Sequence, residues 1–291
     1  MKENNFLTFL LISSISSILL IILLCFLQIS TYSLPKVIWQ FWDKEEPPPI
    51  IRMIKENNMK KLTGWKFNYL NEKTIGQYIS PFDYPTNYDE LSPAHKADWI
   101  RVFLLKTYGG VWMDASIIIN NPKAIDALYD QSIQQQSELT LFQFKTYLNI
   151  ENWFIMAPKN SRMIEAWFNE YDSAIRMGFI NYKKKLWKEG INTTCGRKED
   201  PIEEVYFTQH YGMQRIIQKE LVRDPNIIVN EAKETMLKID YLCDGKNEEE
   251  KNKCLIGYYS DFDSLRRLPY IKLNGINRKL PINWTHYLET N

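Results

Sequence analysis

The chain has 291 residues, 45% of them hydrophobic and 24% charged, and its 36 Lys and Arg nearly cancel its 35 Asp and Glu. That balance excludes binding of nucleic acid through a basic surplus, and it excludes a chain kept disordered by charge. The apolar fraction is ample for a full core, and 11 Gly and 13 Pro are too few for a collagen-like or linker-like sequence.

From Phe6 to Leu27 there are 22 residues without a charge, mostly Leu, Ile and Phe. As a helix this run would span about 33 Å, enough for the hydrocarbon core of a bilayer. The apolar region of a cleaved signal peptide is shorter, about 7–15 residues, so the expectation is an uncleaved anchor. The chain then divides into a tail at 1–5, a transmembrane signal-anchor helix at 6–28, a short stem at 29–34 and one folded domain at 35–291. The expected placement is a type II single-pass membrane protein, facing the Golgi lumen in a eukaryote and otherwise in a bacterial inner membrane. Sequons at Asn192 and Asn283 lend a lumenal face weak support.

The run Lys36–Trp42 (KVIWQFW) suits a buried strand. Pro47 to Pro49 opens a helix that reaches about Leu62, and Trp65–Leu70 alternates as a second strand. Ser92 as N-cap and Pro93 at the first helical position start a helix that runs to Tyr108 and stops at Gly109-Gly110. Val111–Met113 is a short strand, followed by Asp114. Leu139–Phe144 and Trp153–Ala157 read as strands, and helices are expected near 161–177, 203–222 and 231–239. Strands alternating with helices predict an α/β fold with a mostly parallel sheet, where ligands bind beyond the carboxyl ends of the strands. Asp114 stands at such an end.

The helix from Pro93 to Tyr108 carries most of the chemistry. At 100° per residue, Asp98 and Arg101 share a face with Ala94, Ala97, Leu105 and Tyr108, while Lys96, Lys106 and Thr107 lie opposite. The lysines belong in water, so Asp98 and Arg101 face inward, where an unpartnered charge costs several kcal/mol. Two readings satisfy them. They pair with each other at i, i+3, or they line a polar pocket in which Arg offers a fork to phosphate or sugar oxygens and Asp accepts from sugar hydroxyls. Cys243 and Cys254 bracket a polar loop and are either a disulfide or two thiols. The three His (His95, His210, His286) are scattered and no CxxC pair occurs, which argues against a structural zinc site.

The block LSPAHKADWIRVFLLKTYGGVWMDASI, from Leu91 to Ile117, resembles the signature of the capsular polysaccharide synthesis family of sugar transferases, within the wider group around glycosyltransferase family thirty-two. PKVIWQFW resembles the family's first strand, and LPYIKL, from Leu268 to Leu273, its C-terminal H-K-L stretch. The resemblance implies a GT-A fold, a Rossmann-like and mostly parallel sheet flanked by helices, here preceded by the transmembrane helix. It implies a membrane-anchored glycosyltransferase that moves a hexose from a UDP- or GDP-sugar to a glycan or glycolipid acceptor with retention of configuration. The alternative is an inactive descendant that binds nucleotide-sugar or glycan. No nucleic acid partner is expected.

Carried over residue by residue, the resemblance places Asp98 and Arg101 at the donor sugar and ribose, and Asp114 at the ribose and metal region. Trp42 would lie near the base and Trp112 beside the donor, with plain core packing as the alternative for both. Lys272 would meet the pyrophosphate, and Asp114 and Arg101 would be the catalytic pair. In most GT-A enzymes the acid motif is Asp-x-Asp; here it reads Asp114-Ala115-Ser116, as in the capsular branch, so manganese or magnesium is expected to bind weakly through Asp114 or to use other ligands. The His of H-K-L is Ile271. Asn152, Gln209 and His210, polar residues near element ends, read as satisfied structural groups.

Overall fold

The computed structural model describes residues 32–144, 149–195 and 199–290. Its elements follow one another as β1 (Val37–Phe41), α1 (Pro49–Lys61), β2 (Lys66–Leu70), α2 (Pro93–Tyr108), β3 (Gly110–Met113), β4 (Ile117–Ile119), α3 (Pro122–Gln135), β5 (Leu139–Phe144) and β6 (Asn149–Ala157). Then come α4 (Arg162–Met177), α5 (Phe179–Lys188), α6 (Thr208–Gln218), β7 (Ile227–Glu231), α7 (Lys238–Leu242), α8 (Glu248–Ser260), α9 (Phe262–Arg267), β8 (Tyr270–Lys272) and α10 (Trp284–Glu289).

The main sheet has the order β2-β1-β3-β6-β5-β7. β1 is parallel to β2 and β3, and β5 to β7, while β6 runs antiparallel to both its neighbours. The sheet is therefore mixed but mostly parallel, as the alternation of strands and helices predicts. Successive residues of β3 serve opposite faces. Trp112 joins the core formed with Trp99, Val102 and Leu105 of α2 and Trp167 of α4. Val111 and Met113 join the core on the other face, with Ile125 and Leu128 of α3. Covering both faces of a sheet in this way gives strands that are apolar throughout rather than alternating.

The turn from α2 into β3 admits little but glycine. Gly110 has φ +103°, and a Cβ there would lie 2.7 Å from the Val37 carbonyl oxygen. The indole of Trp39 donates to the Gly109 carbonyl at 2.8 Å and ties the same turn to β1. At the other end of α2 the Ser92 hydroxyl accepts from the His95 N–H, the cap read from the sequence. A second, two-stranded sheet pairs β4 antiparallel to β8 and places Ile117 opposite Lys272. Cys243 and Cys254 form a disulfide between the end of α7 and α8, which decides between the two readings of that pair.

Three expectations need correction. The helix expected near 231–239 is instead β7, a turn, and the short α7 beginning at Lys238. Ile227–Glu231 extends the sheet because β5 offers it a parallel partner in unbroken register, and tertiary pairing overrides local preference in short apolar runs. The transmembrane helix and the single-pass membrane placement are also corrected. Among the described residues no helix is long and apolar enough to cross a membrane. The longest, α2 and α4, have 16 residues each, short of the roughly 20 apolar residues a span requires. The segment 6–28 itself lies outside the described residues.

Candidate active site

The strands deliver their chemistry to one edge. Asp114 follows the last residue of β3, and its N–H donates to the Trp153 carbonyl of β6 at 2.9 Å. Beside it, β1 ends at Phe41 and leads into Trp42 and Asp43. Together these ends line a cavity of about 640 Å³ that also takes in Asp98, Arg101, Lys272 and Arg278. A cavity of this size, at the carboxyl ends of parallel strands, is where an α/β fold holds a ligand.

Asp98 and Arg101 lie one turn apart on α2, pair with each other, and both line this cavity. The Arg101 guanidinium is in close contact with the Asp98 carboxylate. It also donates to Gln209 Oε1 at 2.9 Å and to Asp114 Oδ1 at 3.3 Å, and it stacks over the Trp112 ring at 5.1 Å. Arg101 is only 4% exposed, so a buried cation serves two carboxylates at the wall of the cavity. Gln209 closes the arrangement by donating to the Asp98 carbonyl at 2.6 Å. Asn152 donates to Asp98 Oδ1 at 3.1 Å and to Gln209 Oε1 at 2.7 Å.

Asp114 is held from three sides. Besides Arg101, the Trp112 indole donates to Oδ1 at 2.9 Å and Lys272 Nζ donates to Oδ2 at 2.9 Å. Lys272 arrives from 158 residues away through the β4–β8 pairing, and its ammonium also donates to Ser116 Oγ at 3.2 Å. Of the two tryptophans, Trp112 is a buried core residue that grips Asp114. Trp42 lines the cavity mouth, with the Arg278 guanidinium 5.6 Å over its ring. Ile271 packs into the core around β8 and faces away from Lys272.

The two carboxyls respond to their surroundings in opposite directions. Burial pushes the Asp98 carboxyl up to about 6; the Arg101 charge opposes that shift and the Asp114 charge adds to it. Burial would also raise Asp114, but Lys272 and Arg101 outweigh it and hold that carboxyl below its usual range. Asp98 has the consequence that can be measured. Its folded pKa of about 6 lies above the unfolded value of 3.8, so it contributes stability that is fully present below pH 3.8 and is lost as the pH rises through 6. The expected size is about 3 kcal/mol. Denaturant midpoints measured from pH 7 down to pH 4 should show the native protein gaining on its Asp98→Asn variant by that order. A constant difference between the two would mean that Asp98 does not titrate above its unfolded value.

Residues 25–174 match the family described as capsular polysaccharide synthesis protein. The match spans half of the chain and contains α2, β3 and Asp114. The chain belongs to the capsular polysaccharide synthesis protein family. No match was found among curated proteins. Among solved structures the chain is similar to a glycosyltransferase involved in the glycosylation of the major capsid of PBCV-1, at 12% identity over 88% of this chain and 98% of that one, with a TM-score of 0.38. It is also similar to the PaToxG glycosyltransferase, at 12% identity over 63% of this chain and 87% of that one, with a TM-score of 0.35. A third similar structure is the glycosyltransferase domain from the YGT toxin, at 11% identity over 82% of this chain and 74% of that one, with a TM-score of 0.35.

In this family member, every residue singled out for the donor lines one cavity: Trp42, Asp98, Arg101, Trp112, Asp114 and Lys272. Gln209, fully buried, bonds both Arg101 and Asp98, and Asn152 links Asp98 to Gln209, so both are satisfied polar residues as the sequence reading has them; Asn152 and His210 also line the cavity. Arg278 also lines it, and no sequence signal indicated it. The side chains do not fit a divalent cation on Asp114. Both of its oxygens already accept from cationic groups, and the third residue of the motif is Ser116 rather than a carboxylate. Among the described residues no group of three His, Cys, Asp or Glu side chains could hold a metal ion.

Proposed function

We propose that this family member is a glycosyltransferase that moves a hexose from a nucleoside-diphosphate sugar to a hydroxyl of a glycan or glycolipid, with the anomeric configuration retained, on a GT-A type of fold. The observation that carries this reading is the chain Asp98–Arg101–Asp114–Lys272 on the wall of a cavity at the strand ends. Sugars are recognised by fixed carboxylates and amides that match their hydroxyls, and diphosphates by cations. The cavity offers both, and the aromatic mouth at Trp42, Tyr206 and Phe207 suits a base or a sugar face.

In the reaction, the bond from the anomeric carbon to the diphosphate oxygen breaks, and the nucleoside diphosphate leaves with the electron pair. The acceptor oxygen bonds to the anomeric carbon, and its proton passes to the departing diphosphate oxygen. Asp98 and Asn152 orient sugar hydroxyls, Asp114 accepts from the ribose, and Arg101 fixes both carboxylates. Lys272 offsets the negative charge that grows on the leaving oxygen, where a preset charge acts most strongly.

The test is nucleotide release by the full-length protein from a panel of UDP- and GDP-sugars, with and without a glycan acceptor. Release from one donor, increased by an acceptor, is the expected result. A folded protein that binds a nucleotide-sugar without ever releasing nucleotide would instead be a binding protein descended from such enzymes.

A further inference from the structure

We propose that Arg278, together with Lys272, forms a cationic clamp for the donor's diphosphate, so that the donor binds without a divalent cation. The inference rests on the nucleotide-sugar reading above and names how that site meets its charged ligand.

The first observation is where the Lys272 ammonium lies. It donates to Asp114 Oδ2 at 2.9 Å and to Ser116 Oγ at 3.2 Å, and so sits between the first and third side chains of Asp114-Ala115-Ser116. A cation is thus already built into the motif. Two of its three donors are committed, which leaves one for a ligand oxygen.

The second observation is Arg278. Its side chain lines the cavity and is half-buried, and burial pulls its pKa below the usual arginine value. Among the described residues no carboxylate forms an ion pair with it. Its contacts are the Trp42 ring and the Leu273 carbonyl, which it reaches at 3.4 Å. Removing a guanidinium from water without an anionic partner is costly, and the cost is recovered when an anion arrives. The planar fork suits two phosphate oxygens at once.

The third observation is how firmly this arginine is placed. It belongs to the turn Asn277–Lys279, and the segment carrying that turn is pinned by Asp240. The Asp240 carboxylate accepts from Asn274 at 2.6 Å, from Asn277 at 2.8 Å and from the Tyr259 hydroxyl at 3.1 Å. With its oxygens filled by neutral donors, Asp240 fixes the loop without drawing Arg278 to itself. Of the other acids lining the cavity, Asp98 and Asp114 are matched by Arg101 and Lys272, Glu151 accepts from the Trp153 indole at 2.6 Å, and Asp43 follows Trp42. Of the Lys and Arg side chains that line the cavity, Arg278 is thus the one without an ion pair among the described residues.

The test is calorimetric titration of the full-length protein with UDP, GDP, uridine and guanosine, in EDTA and again with manganese. The expected result is that one diphosphate binds in EDTA, that manganese changes its affinity little, and that Arg278→Ala weakens it by about 10- to 100-fold, the range of a charge-assisted hydrogen-bonded contact. Affinity for the matching nucleoside should be unchanged in that variant, and Arg278→Lys should fall between. Arg278→Gln provides the same comparison if the alanine variant unfolds. Diphosphate binding only with manganese, or an Arg278 variant that weakens nucleoside and diphosphate alike or neither, would overturn the clamp while leaving the donor reading in place. If no nucleotide or nucleoside binds under either condition, the donor reading falls, and the clamp with it.

Discussion

Replacing Arg101 with methionine should cost about 3–5 kcal/mol of folding stability, the range for breaking a buried ion pair by removing one partner. The substitution keeps most of the side chain's volume, so the loss measures charge and hydrogen bonding rather than a cavity. What it strands is two carboxylates. Asp98 would keep Asn152 at 3.1 Å but no cation in contact, and Asp114 would keep only Lys272 as a counter-charge. A loss of that size is a large part of the 5–15 kcal/mol by which a domain is stable. A surface pair on the same helix would be worth less than about 1 kcal/mol, so a denaturant midpoint that moves by no more than that would show water reaching the pair. The double variant Arg101→Met with Asp98→Asn should recover part of the loss, because it removes one of the stranded charges. The non-additivity of that cycle measures their coupling directly. Arg101→Lys keeps the charge but cannot reach Asp98, Gln209 and Asp114 from one rigid plane, and should fall between the two.

The part of this site that could be read in the sequence is the part held by one helix and one turn. Ser92, Pro93, Gly109 and Gly110 punctuate α2, and helical periodicity turns Asp98 and Arg101 inward. Asp114 follows because β3 is short and ends there. These are local rules, and the fold obeys them. What escapes the sequence depends on long-range pairing. Lys272 is named by the family resemblance, but its contact with Asp114 is made through β4, a run of three isoleucines with no readable period, and β8, which is equally short. Gln209 lies on a helix whose residues Thr208 to Met213 are all buried, so no polar face distinguishes a site residue from a packed one. Arg278 lies in a 3₁₀ turn within a polar stretch, where an arginine gives no sign of facing a cavity. The same limit produced the error at 231–239. Ile227–Glu231 is a strand only because β5 lies beside it.

Asp114→Asn should lower turnover by about 10²–10³-fold, the order found when one fixed electrostatic contact is removed from a reacting centre, while costing only about 1–2 kcal/mol of stability. The two figures differ for a structural reason. The Asp114 side chain is a quarter exposed, so solvent screens part of what Arg101 and Lys272 lose, and the discount appropriate to a partly hydrated pair applies. The chemistry has no such relief. Asparagine can still accept from the Trp112 indole, but it no longer carries the charge that holds the Lys272 ammonium at 2.9 Å. Lys272 would then be free to move away from the leaving oxygen. The pH dependence separates this account from a simple folding defect. Asp114 is held below its unfolded pKa of 3.8, so its stabilisation is present above pH 3.8 and is lost as the pH falls through the depressed folded value. The stability gap between native protein and Asp114→Asn should therefore widen somewhat as Asp98, raised in part by the Asp114 charge, protonates near pH 6, and close only in stronger acid. The deficit in turnover should persist wherever both proteins are folded. If Asp114→Asn turns over its donor at nearly the native rate, Asp114 does not belong to the reacting centre, and its grip on Lys272 serves the fold alone.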